Sequence, residues 1–97
     1  MALQFLRDVG IYVPKIDAIK FTAVSKSGTV CCFAKRSSLV AVGCHPMDDP
    51  ITLLHCFETN RTTFEKTAAA KFAQGGASEI TITASDVLEK PRRLLLH

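Results

Sequence analysis

Two runs of alternating apolar residues, Ile19 to Ala23 and Val30 to Ala34, stand on either side of Ser25-Lys26-Ser27-Gly28. A period of two sends successive side chains to opposite faces of a strand. Ile19, Phe21 and Ala23 then share one face, and Lys20, Thr22 and Val24 the other. If the four intervening residues close a hairpin, Ala23 falls opposite Val30, Phe21 opposite Cys32 and Ile19 opposite Ala34. All six are apolar, and a slip of one residue would mix the faces, so loop length and burial pattern specify the same register. The chain is thereby committed to a sheet with one buried face.

The other elements are read around that hairpin. Leu3 to Leu6 reads as a short edge strand, and Gly10 to Pro14 as a connection in which Tyr12 covers part of the core. Ser37 or Ser38 is placed to cap a short helix running to Val42, with Gly43 ending it. Asp49 followed by Pro50 is a strong helix start. From residue 50 to 74, Leu53, Leu54, Phe57, Phe64, Ala68 and Phe72 fall within a stripe roughly 100° wide, and Gly75-Gly76 stops the pattern. The stripe stays in phase throughout, which favours one helix; Thr62 with Glu65 resembles a capping box, which leaves a break near Asn60 open. Glu79 to Ala84 alternates again, with Ile80 and Ile82 on one side. The order β-β-α-α-β, with room for an extra N-terminal edge strand, reads as an α+β fold. A short and a long helix pack on one face of a small, mostly antiparallel sheet.

Ninety-seven residues are enough for one domain. Its expected extent is 1–87, with 88–97 as a tail that reads equally well as native or as supplied by a vector-coded tag. Charge is unevenly placed: nine Lys and Arg balance nine acids over residues 1–89, so the formal +3 comes from Lys90, Arg92 and Arg93. A neutral body offers little phosphate neutralisation. Nucleic acid is therefore only an alternative partner, through the basic tail with Lys20, Lys35 and Arg36. No apolar run approaches the roughly 20 residues that span a bilayer, and Met1 to Gly10 lacks a signal-peptide core. The expectation is a cytoplasmic protein without membrane contact.

The chain also resembles a known family, through Phe21-x-Ala23, Gly28, Cys32 and Ser38-Leu39, then Leu54, Phe57, Asn60-Arg61, Phe64, Ala68 and Lys71-Phe72, and finally Ile80-x-Ile82 and Asp86. These residues resemble a small bacterial family of uncharacterised proteins, domain-of-unknown-function family 1488, over most of residues 3 to 87. Most of the matching positions are core or turn positions. The resemblance implies a compact α+β domain and brings no established activity, catalytic residue or cofactor.

Chemistry-bearing residues are few. Cys44, His45, His55 and Cys56 are ligand types for zinc, but no Cys-x-x-Cys pair is present and His55 points about 160° from Phe57 on a helix. No metal or cofactor is expected, and a disulfide is not expected in a reducing cytoplasm. Cys44 beside His45 is the candidate thiol–base pairing, although adjacent loop residues seldom point at each other, and no phosphate loop, nucleophile elbow or paired-carboxylate motif is present. Arg61 falls inside the apolar stripe, where a charge needs partners; Glu58 and Glu65 at i−3 and i+4 supply them. Asn60, Arg61 and Asp86 form the candidate ligand or partner site, with an Asp86–Arg61 pair open and Asp86 otherwise closing a turn. The sheet face carrying Lys20, Thr22, Cys31 and Phe33 has no second layer to cover it and is the candidate interface. The functional expectation is a non-enzymatic interaction or regulatory module working through protein contacts, including a homodimer. A nucleic-acid-binding protein is the first alternative, and a small thiol or metal-dependent enzyme the second.

Overall fold

The computed structural model describes residues 3–88. The first two strands of the chain are short: β1 is Gln4–Phe5 and β2 is Ile11–Val13. They are followed by the long hairpin of β3 (Ala18–Ser25) and β4 (Gly28–Lys35). The hairpin has the expected register, with Ala23 opposite Val30, Phe21 opposite Cys32 and Ile19 opposite Ala34. Pairing continues to Ser25 and Gly28, which shortens the loop to Lys26-Ser27.

Gly10 to Pro14 is more than a connection, because β2 pairs antiparallel with Ala18–Lys20 while β1 pairs with Ala23–Val24. The two share the edge of β3 that β4 leaves free. The polar backbone of a connection so close to a sheet edge is satisfied by joining the ladder. Tyr12 still packs against the core, as expected.

Three helices follow: α1 (Arg36–Ala41), α2 (Pro50–Thr59) and α3 (Arg61–Gly75). β5 (Glu79–Ile82) then lies parallel to β4, and α4 (Ala84–Leu88) closes the described chain. A parallel neighbour requires a crossover, which the three helices provide. The helix cap of α1 falls at Lys35 instead of Ser37 or Ser38: the Ser38 hydroxyl donates to the Lys35 carbonyl at 2.6 Å, and no side chain accepts from the first turn. Asp49 caps α2 as expected, accepting from the Thr52 N–H at 2.9 Å.

The favoured single helix over 50–74 is two, broken at Asn60, whose backbone leaves helical geometry (φ −107°, ψ 19°). Its side-chain amide donates to the Cys56 carbonyl at 2.9 Å, and its N–H is drawn to the carbonyls of Cys56 and Phe57. These local bonds compete with the continuing helical ladder, which is why Asn favours helix ends. The stripe nevertheless survives the break, with Leu53, Phe57, Phe64, Ala68 and Phe72 all buried. Gly76 ends α3 in the left-handed conformation (φ 63°), which costs glycine nothing.

The helices lie on the face of Ile19, Phe21, Ala23, Val30, Cys32, Ala34, Ile80 and Ile82, and these residues form one core with the stripe. An aromatic column runs through it: Phe5 to Phe21 at 6.1 Å, Phe21 to Phe57 at 5.0 Å and Phe57 to Phe64 at 5.4 Å between ring centroids. It joins the N-terminal edge of the sheet to both long helices.

Candidate functional site

The pleat leaves a second sheet face. The strand registers place Lys20, Phe33 and Thr81 in one row across β3, β4 and β5, and Thr22, Cys31 and Glu79 in the next. Ile11 extends the first row from β2. Lys20, Thr22, Cys31 and Phe33 are each half-buried, while the alternating residues between them are buried in the core. Ile11 is 58% exposed. The Lys35 ammonium donates to the Ile16 carbonyl at 3.3 Å, at the end of the face. The four expected interface residues are thus neighbours on one surface, apolar at Phe33 and Cys31, cationic at Lys20 and anionic beyond them at Glu79.

Asn60, Arg61 and Asp86 are not brought together in this way. Asn60 serves the helix break. Arg61 lies over Phe57, 5.4 Å from the ring centroid, and all three guanidinium nitrogens have partners. Nε donates to Glu65 at 3.0 Å, one Nη to the Asp8 carbonyl at 2.9 Å and to Glu58 at 3.3 Å, and the other Nη to the Leu6 carbonyl at 3.0 Å. Glu58 in turn accepts from the Gly10 N–H at 3.0 Å. This cluster clamps the segment between β1 and β2 onto the helices, beside an open groove of about 550 Å³ lined by Leu3 to Arg7, Glu58, Arg61, Thr62 and Glu65. Asp86 pairs with Lys71 at 2.9 Å rather than with Arg61, and closes the first turn of α4 by accepting from the Thr83 N–H at 2.8 Å.

The cysteines differ most from expectation. Cys44, in the loop after α1, and Cys56, on α2, form a disulfide with Cα atoms 6.3 Å apart. The expectation of unpaired thiols came from compartment alone, whereas the fold turns the α1–α2 connection back on itself and delivers the two side chains to each other. Both thiols of the candidate zinc set, and the candidate thiol nucleophile, are therefore occupied. His45 and His55 are exposed. Among the described residues no group of three or more His, Cys, Asp or Glu is placed to hold a metal ion. Of the free cysteines, Cys32 is buried, and burial, helped by Cys31, pushes its thiol up to about 12, whereas Cys31 is half-buried on the open face.

Arg36, expected as a nucleic-acid contact, is spent inside the protein. Its guanidinium grips Asp17 through two bonds of 2.7 and 3.0 Å and donates to the carbonyls of Pro46 and Asp48 at 3.0 and 2.8 Å. The Tyr12 hydroxyl donates to the same Asp17 carboxylate at 2.6 Å. Hydrogen bonding from Arg36 and then Tyr12 holds Asp17 below the usual carboxylate range, and the Asp17 bond raises Tyr12. Asp17 occupies the left-handed region (φ 52°), which this cluster over-determines. No local pattern announces the cluster, although a lone Asp in a turn is one of the few side chains that tolerate that conformation. Lys90, Arg92 and Arg93 of the basic tail lie outside the described residues.

No family model and no curated protein matches the chain. Among solved structures, it is similar to the crystal structure of a protein of unknown function from domain-of-unknown-function family 1488 of Shewanella loihica PV-4. The match has a TM-score of 0.70 at 20% sequence identity and covers 84% of this chain and 91% of that one. The expected likeness to that family and the α+β fold both hold at the level of fold. Among the described residues no helix is long and apolar enough to cross a membrane.

Proposed function

We propose that the chain is a non-enzymatic interaction module of the cytoplasm, acting through protein contacts, and that its open sheet face docks a second copy of itself. One observation carries the reading: Cys31 and Phe33 lie between Lys20 and Glu79 on a face that the described helices leave uncovered. The two charges make the face self-complementary. A two-fold axis along β4 sets Phe33 against Phe33 of the second copy and carries Lys20 over the other β5, where Glu79 stands one row away. Such an isologous contact closes after two copies. The nucleic-acid alternative keeps only the tail and two exposed-face lysines, because Arg36 is already paired.

The test is molar mass by light scattering across a concentration series. Wild type is expected at twice its 10.6 kDa chain mass. Phe33→Glu replaces the central apolar contact in both copies and is expected to weaken association by at least about tenfold, while the far-ultraviolet circular dichroism of the folded chain is retained. A wild-type protein that stays monomeric at high concentration overturns the reading, as does a Phe33→Glu dimer of unchanged affinity.

A further inference from the structure

The Cys44–Cys56 pair joins two elements that are also secured without it. Cys44 donates its N–H to the Leu39 carbonyl at 3.0 Å, and α2 begins with the Asp49 cap. Arg36 holds the Pro46 and Asp48 carbonyls from outside the loop. The hairpin pairing does not run through the bridge. What the bridge adds is a covalent restraint on the loop between the two cysteines, whose Met47 is 83% exposed and whose neighbour on α2, Ile51, is 79% exposed.

The pair is also chemically set apart from the other two cysteines. Cys31 and Cys32 are adjacent on a strand, so their side chains point to opposite faces and do not meet. Cys44 is buried, while Cys56 is half-buried and reachable. The Asn60 amide donates toward the Cys56 sulfur at 3.8 Å, on the side of Cys56 away from the loop.

We infer that Cys44 and Cys56 are a reversible redox site, oxidised by a low-molecular-weight disulfide such as glutathione disulfide, that locks the loop displaying Met47 and Ile51. The Cys56 thiolate attacks one sulfur of the small disulfide, forms a mixed disulfide and expels one thiolate. Cys44, as its thiolate, then attacks the Cys56 sulfur and expels the second. Two electrons pass from the two cysteines to the small disulfide, and their two protons end on the released thiols or in solvent. A thiol reverses both steps. In a reducing compartment the dithiol is the resting form, and disulfides found there are commonly transient and regulatory. This site is on the helical side of the molecule and does not depend on the sheet face.

The protein is equilibrated in buffers of stepped reduced-to-oxidised glutathione ratio, quenched with acid, alkylated in denaturant and weighed, with peptide mapping. A single transition from four alkylated cysteines to two is expected, with Cys31 and Cys32 alkylated throughout. An endoprotease that cuts before aspartate is expected to cleave at Asp48 or Asp49 about fivefold more slowly in the disulfide form, while amide exchange across residues 18–35 stays the same in both forms. The Cys44→Ser, Cys56→Ser double variant should be cut at the dithiol rate at every ratio, and should that variant not fold, the wild-type dithiol supplies the comparison. Four alkylated cysteines at every ratio, an unresolved glutathione adduct, or equal cleavage of the two forms overturns the inference. Loss of hairpin protection in the dithiol also overturns it, since the bridge would then be a structural staple.

Discussion

Arg61 is the residue at which local sequence logic and tertiary structure meet. A guanidinium inside an apolar stripe needs partners, and the glutamates at i−3 and i+4 are legible from spacing alone. The carbonyls of Leu6 and Asp8 are not, because they arrive from more than fifty residues away and carry no side-chain signature. The same limit hides Asp17 from Arg36 and Lys71 from Asp86: identity is visible, and the partner is set by the fold. With its side chain 17% exposed, Arg61 contributes as a clamp. Arg61→Met keeps the stem over Phe57 while removing every donor. It is expected to lower stability by about 1–3 kcal/mol in urea unfolding and to speed amide exchange over residues 6–10 more than in the hairpin. An unchanged unfolding midpoint would mean that these bonds merely replace equivalent ones to water.

Among the elements, those defined by their own periodicity were readable: the hairpin and its register, the Asp49-Pro50 helix start, the apolar stripe and the last strand. The short ones depended on neighbours. β2 is three residues long and exists because β3 offers a free edge, and the break between α2 and α3 leaves the stripe in phase, so hydrophobic periodicity cannot register it. Gly10 marks where an element comes too close for any side chain. A Cβ there would meet the Ile19 Cγ2 at 2.9 Å and the Phe57 ring at 3.1 Å. Both neighbours are fully buried and packed on other core residues. Gly10→Ala should therefore push β2 away from α2, at a cost of about 1–3 kcal/mol, read as a lower melting temperature with faster exchange in residues 10–13. A variant as stable as wild type would show that the β2–α2 contact yields without loss. From sequence Gly10 looked like an ordinary loop glycine, since close approach is a property of the packed pair.

At the scale of the whole molecule, the parallel placement of β5 beside β4 was beyond reading, because a four-residue strand alternates identically in either direction. The assembled molecule also gathers its perturbed carboxylates at joints between elements: Asp17 in the β2–β3 turn, Asp49 before α2 and Asp86 at the start of α4. All three are held below the usual carboxylate range. Arg36 and Tyr12 act on Asp17, the Thr52 hydroxyl and N–H act on Asp49, and at Asp86 the upward push of burial is outweighed by the Thr83 N–H and Lys71. A carboxylate whose pKa is depressed on folding stabilises the native state above its unfolded value, near 4, and that stabilisation fades as pH falls through the folded value. For these groups the melting temperature is expected to be level from about pH 7 to 5 and to fall once the pH passes below about 4. Arg36→Met removes the first cause of the Asp17 shift, so it should lower the melting temperature at neutral pH and flatten the acid decline, the gap between the two curves narrowing at low pH to what the Pro46 and Asp48 carbonyl bonds contribute. Parallel curves would exclude the Asp17–Arg36 pair as a source of acid sensitivity and leave the decline to the helix starts at Asp49 and Asp86, where Asp49→Asn and Asp86→Asn would then be the variants that flatten it.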